Sequence, residues 1–172
     1  MKKIAFAIAA VVVGITSLSA EPKSIASLPL AKTAQPQIRP AAPFSAKSID
    51  GKTISLESYK GKVIFINYWA TWCPPCVAEV PELIQLQKKY AGKIQIIGLS
   101  MDDNVADVQK FAARAKFNYP IIMATDELKS KYARISAIPT TVIISKDMMI
   151  VQIEAGYHKP EFFDEIIKRL AK

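Results

Sequence analysis

Cysteine is nearly missing from this chain: two residues in 172, Cys73 and Cys76. A pair separated by only two residues closes too short a loop to stabilise a fold, so a structural staple does not account for it. Histidine is scarcer still, with His158 alone. Tetrahedral zinc usually needs four Cys or His ligands, and only His158 could join the cysteines, so no metal is expected. Val77, not histidine, follows Cys76, which excludes covalent haem attachment through this pair. No dense basic run or arginine-rich helix gathers the net charge of +8. Lys2 and Lys3 supply two of those charges, and the +6 that remains is diffuse, so nucleic-acid binding is not expected. No internal repeat is visible.

The chain has 51% hydrophobic residues, enough for one domain with a substantial core. Residues 1–20 stand apart from it. Lys2-Lys3, the apolar stretch Ile4 to Ile15 and the small residues ending at Ala20 form the three-part pattern of a bacterial export signal. The apolar stretch is short against the roughly 20 residues that cross a bilayer. Cleavage after Ala20 is one reading. Leu18, larger than the small residue preferred two positions before a cleavage site, keeps a retained membrane anchor open. Residues 21–43 carry Pro22, Pro29, Pro36, Pro40 and Pro43 among Ala, Ser, Gln and Lys. They read as a linker with too little apolar surface to order itself, or as a spacer. Whether residues 1–20 are cleaved or retained as an anchor, the domain, residues 44–172, is expected outside the cytoplasm, where disulfide chemistry is permitted.

Within the domain, Asp50-Gly51 between Phe44–Ala46 and Lys52–Ile54 predicts a hairpin. Leu56 to Tyr59 predicts a short turn. Lys62–Ile66, Lys93–Leu99, Tyr119–Met123, Thr140–Ile144 and Met149–Ile153 predict strands. The helices expected between and after them begin near Cys73, after Asn104 (with Val105, Val108, Phe111 and Ala112 on one face), at Asp126 and at Pro160. Strands alternating with helices, closed by a hairpin and a last helix, give an α/β sandwich with a mixed central sheet.

The two cysteines fall where a buried strand turns into an amphipathic helix. A helix start offers free N–H groups and the positive end of the dipole, and both favour thiolate, the reactive form. One helical turn also brings the sulfurs within bonding reach. Cys73, at the exposed edge, is the expected attacking thiol, and Cys76, one turn further in, the resolving one. Pro74 and Pro75 carry no N–H to donate to the Cys73 sulfur, so a reducing or middling couple is expected rather than a strong oxidant. Proline is also simply good chemistry at the first helical position.

Trp72-Cys73-Pro74-Pro75-Cys76 on a strand-to-helix turn, Pro81 inside the helix, and Ile138-Pro139-Thr140 entering a later strand together resemble the thioredoxin active site, its helix-kinking proline and its cis-proline loop. The chain further resembles the TlpA/ResA-like branch of exported thiol:disulfide oxidoreductases. That likeness rests on Asp50-Gly51-Lys52, Gly61-Lys62-Val63, Asn67-Tyr68-Trp69-Ala70-Thr71-Trp72-Cys73, Glu79-Val80-Pro81 and Gly98-Leu99-Ser100-Met101-Asp102-Asp103. It covers residues 44–172. Asn67 stands where thioredoxins usually bury an aspartate.

The resemblance implies a thioredoxin-like three-layer sandwich with an N-terminal hairpin and an inserted helix and strand between Met101 and Met123. It implies that Glu79 handles a proton near Cys76, although spacing alone would make it a solvated helix glutamate. It implies a cis Pro139, with Ile138 and Pro139 presenting backbone groups to an extended substrate and covering the sulfurs. Trp72, Pro74 and Pro75 complete the expected substrate-facing set. Trp69 is either a further wall or core. His158 is read as surface, and Met148-Met149 as core. No cofactor is expected. Substrates would be disulfides of extracytoplasmic proteins such as apocytochrome c, with electrons from a membrane thiol transporter. A redox-inert binding or chaperone module on the same fold is the alternative. A thiol peroxidase is a third, weakened because Thr71 is too close to Cys73 for the usual Thr-x-x-Cys frame.

Overall fold

The structure, a computed structural model, describes residues 38–172 with the exception of Ala133. Residues 1–20, read as an export signal or anchor, and most of the stretch read as a linker therefore lie outside the described residues. Among those described, no helix is long and apolar enough to cross a membrane.

A six-stranded mixed sheet forms the middle layer. Its centre is β4 (Val63–Trp69), whose seven residues are all buried. A strand covered on both faces has no reason to alternate, which explains the unbroken run Val-Ile-Phe-Ile. β5 (Ile94–Ser100) lies parallel to β4 on one side, and β7 (Thr140–Ile144) antiparallel on the other. β6 (Ile121–Met123) extends the sheet beyond β5, and β8 (Met149–Ala155) extends it beyond β7. β2 (Ser45–Lys47) and β3 (Thr53–Ser55) make the separate hairpin around Asp50-Gly51, with Gly51 at φ 83°. That left-handed backbone is what a glycine permits at low cost.

Odd and even positions of β4 part into two cores. Val63, Phe65 and Trp69 face α1 (Pro74–Lys89), α2 (Val105–Ala115) and α4 (Pro160–Leu170). Ile64, Ile66 and Tyr68 face the hairpin and α3 (Asp126–Lys131), where Leu56, Leu128 and Tyr132 are buried. The result is the expected three-layer sandwich, with α2 and β6 as the inserted helix and strand.

Three expectations change. The stretch read as a linker reaches into the sheet: Arg39–Pro40 form β1, paired antiparallel with β8. Two residues of strand carry no periodicity, and proline is tolerated at a sheet edge, so only the pairing reveals it. Asn104 caps α2 as expected, accepting the Ala106 N–H at 2.9 Å, but Val105 is exposed and Val108 is the buried contact. β8 continues to Ala155, past the expected Ile153.

Candidate active site

β4 ends at Trp69, and the chain turns through Ala70, Thr71 and Trp72 to Cys73, the N-cap of α1. Asp102, just beyond β5, holds this turn. Its carboxylate accepts the Thr71 N–H at 3.1 Å, the Thr71 hydroxyl, and the Ser100 hydroxyl at 2.7 Å. The Met101 N–H also donates to the Trp69 carbonyl at 2.7 Å. Two neighbouring strands thus fix the entry to the helix. Pro74 and Pro75 occupy its first positions, where an N–H would have no partner within the helix.

Cys73 and Cys76 are joined as a disulfide with their Cα atoms 5.3 Å apart. Cys73 is less open than its place at the helix edge suggests: it is 5% exposed, against 1% for Cys76. The Ile138 carbonyl accounts for the cover, lying 3.7 Å from Cys73 Sγ. The Ile138–Pro139 peptide is cis. The Pro139 carbonyl accepts the Gly156 N–H at 2.7 Å, so the backbone beside the sulfur is that of Ile138. Around this pair Trp72, Pro74 and Pro75 are exposed.

Glu79 follows Cys76 by one turn and is 1% exposed, not solvated. Asn67 donates from Nδ2 to Glu79 Oε2 at 3.0 Å and to Thr141 Oγ1 at 3.0 Å. Glu79 Oε1 is buried without a hydrogen-bond partner. Burial pushes the Glu79 pKa up to about 7; the Asn67 amide and the His158 backbone N–H oppose this, and the neighbouring Glu82 charge adds to it. The carboxyl therefore exchanges its proton near neutral pH.

The structure brings Cys73, Cys76 and Ile138 into one cluster, with Glu79 one turn behind the sulfurs. It separates the two tryptophans. Trp72 is 66% exposed, while Trp69 is interior, its ring 5.4 Å from those of both Phe111 and Phe117. His158 is not a plain surface residue: its ring is half-buried and stacks on Phe162 at 4.3 Å. Of the Met148-Met149 pair, only Met148 is fully in the core. Sequence reasoning missed the clamp of Asp102 on Thr71 and the contact of Thr141 with Asn67. Asp102 lay within a recognised motif, but its partner is 31 residues away; Thr141 left no signal.

Residues 38–153 match the AhpC/TSA family. The chain is also 31% identical over 128 residues to thiol-disulfide oxidoreductase ResA of Bacillus thuringiensis subsp. konkukian, covering 74% of each chain. The chain belongs to the AhpC/TSA family, as a ResA-like thiol:disulfide oxidoreductase. The thioredoxin-like protein YneN of Bacillus subtilis is 34% identical to this AhpC/TSA-family chain over 119 residues, covering 67% of it and 69% of YneN. Among solved structures, a thiol:disulfide interchange protein of the thioredoxin family from Chlorobium tepidum TLS superposes with a TM-score of 0.75 at 31% identity. That match covers 79% of this chain and 98% of the other. The thioredoxin-like fold of this family member follows from both comparisons.

Proposed function

We propose that this AhpC/TSA-family protein works outside the cytoplasm as a reductant of protein disulfides, apocytochrome c among its substrates. The observation that carries the reductive direction is the start of α1. Pro74 and Pro75, the two residues after Cys73, withhold two amide donors, leaving the Cys76 N–H as the first the helix can offer. A thiolate with few donors is weakly stabilised. The dithiol form then gives up electrons readily, and the couple sits on the reducing side.

The Cys73 thiolate attacks a substrate disulfide, one substrate sulfur leaves as thiolate, and a mixed disulfide forms. Glu79 takes the Cys76 proton. Cys76 then attacks Cys73 Sγ, closes the Cys73–Cys76 bond and releases the second substrate thiolate. Two electrons pass from the dithiol to the substrate. Trp72, Pro74 and Pro75 meet the substrate around the sulfurs together with the Ile138 backbone, and Pro139 sets the position of that backbone. Dithiol is restored by a membrane thiol transporter. The basic and apolar pattern of residues 1–20 supports the extracytoplasmic location.

The reduction potential of the Cys73–Cys76 couple, measured in thiol redox buffers, tests the direction. A value near ~−270 mV or below is expected, and one near ~−120 mV would overturn it. Alkaline phosphatase fused after residue 172 tests the location, since it is active only outside the cytoplasm.

A further inference from the structure

Glu79 is 1% exposed. A carboxyl so covered can accept the Cys76 proton once, but it must lose that proton before the next cycle. When the disulfide is reduced again, a proton must also return to Cys76. The site needs a way out for protons.

Cys76, Glu79 and Glu82 follow one another at three-residue steps along α1. Neighbours at that spacing lie on one helix face, with Cβ atoms about 5–6 Å apart. Each glutamate has one oxygen engaged and one buried oxygen without a partner. In Glu79, Oε2 is held by Asn67 and Oε1 is open; in Glu82, Oε1 accepts the Tyr157 hydroxyl at 2.7 Å and Oε2 is open. Tyr157 is 41% exposed, so the far end of this row reaches solvent.

Other polar and titratable groups also face this row. From β4, Asn67 cannot titrate near neutral pH. His158 presents its backbone N–H to Glu79, and its imidazole stacks on Phe162 and lies 3.6 Å from Glu154 of β8. The Tyr119 hydroxyl, ahead of β6, is buried without a partner, and burial drives its pKa upward, with the Glu79 charge adding to the shift. Glu161 of α4 joins Glu82 and Glu79 in acting on Tyr157, whose own pKa is raised chiefly by its hydrogen bond to Glu82.

We propose that Glu82 is the proton relay of this site, carrying protons between buried Glu79 and solvent while Tyr157 holds its carboxylate in place. The relay rests on the reading of Glu79 as the acceptor for the Cys76 proton. In the resolving step the Cys76 S–H bond breaks and its proton goes to Glu79. The Cys76 sulfur displaces the substrate sulfur from Cys73, and the substrate leaves as thiolate with the electron pair of the broken S–S bond. The proton then passes from Glu79 to Glu82 and on to water. Reduction of the Cys73–Cys76 disulfide by an external dithiol runs the same path inward.

The test mixes the reduced full chain with a small aromatic disulfide in a single turnover, in weak buffer with a pH indicator. The second thiolate released reports resolution by Cys76, and the indicator reports the proton reaching water. Glu82→Gln keeps an acceptor for Tyr157 but cannot carry a proton. At pH 8 its proton release should lag behind resolution, slowed by about tenfold or more against the wild type. Glu82→Asp should recover most of the rate of release. Glu79→Gln is run alongside and should slow resolution itself. Slow resolution in Glu79→Gln with wild-type proton release in Glu82→Gln would overturn the relay and leave the Glu79 reading standing. Wild-type resolution in Glu79→Gln would overturn the Glu79 reading and the relay together. A Glu82→Asp variant as slow as Glu82→Gln would also overturn the relay, because the defect would then lie in packing. Should Glu82→Gln fail to fold, Tyr157→Phe decides: slower proton release supports the relay, and an unchanged rate overturns it.

Discussion

Asn67 of β4 and Glu79 of α1 are joined in the interior by a 3.0 Å hydrogen bond from amide nitrogen to carboxylate oxygen. The bond favours the charged carboxyl, while burial favours the neutral one, and burial wins. Removing the donor should let burial act unopposed. Asn67→Ala is therefore expected to move the Glu79 midpoint above 7 and carry the pH dependence of thiol alkylation with it. Leaving the Thr141 hydroxyl unpartnered should cost about 1–3 kcal/mol of stability. An unmoved alkylation profile would mean that the amide does not tune Glu79.

Glu79 also ties stability to pH. Its pKa rises from 4.5 to about 7 on folding, so the folded state binds the proton more tightly than the unfolded chain. The resulting stabilisation is complete below pH 4.5, falls as pH rises, and is gone above about 7. The amount at stake is on the order of 3 kcal/mol. Denaturant titrations of the oxidised protein at pH 4 and pH 8 should show that loss in the wild type and not in Glu79→Gln. Equal losses in the two proteins would place the Glu79 carboxyl at an ordinary pKa.

The division of labour between the cysteines is directly testable. Cys76→Ser keeps attack and removes resolution, so mixed disulfides should accumulate through Cys73. Cys73→Ser should trap few. Non-reducing gels of cells expressing each variant read the outcome, and the opposite pattern would exchange the two roles.

Gly98 sets a packing limit behind the site. A Cβ there would lie 2.5 Å from Ile121 Cδ1 and 3.0 Å from Trp69 Nε1. Gly98→Ala should destabilise by about 1–3 kcal/mol through overpacking. Adding Ile121→Val removes the nearer clashing atom and should recover part of the loss, as measured by denaturant midpoints. A Gly98→Ala protein of unchanged stability would show that Trp69 and Ile121 move aside freely.

The positions of most strands and helix starts along the chain were legible because local chemistry specifies them. Asp50-Gly51 gives the hairpin, Asn104 caps α2, and the all-buried β4 is one continuous apolar run. The reactive pair was legible because nothing else in the chain explains two cysteines at that spacing. Contacts across the sheet were not. Asn67 meets Thr141 across 74 residues, and the fold alone brings them together. Burial of Glu79 was hidden for a related reason: the helix spacing gives its direction but not the α4 and β8 loop packed over it. Trp69 and Trp72 look alike in sequence, and strand parity separates them, since Trp69 shares the face of Val63 and Phe65.

The β6 margin of the main sheet is closed to newcomers. At the opposite margin β1 is two residues long, pairs with Met149 and Ile150 of β8, and Pro40 has no N–H to offer. At the β6 margin the hairpin lies over the strand: the Ile49 N–H donates to the Ile121 carbonyl at 2.8 Å, and Ser48 bridges Ile122. A bare sheet edge recruits any extended segment that collides with it and seeds aggregation. With the β6 margin shut, an extended segment that meets the protein there finds no free strand to join.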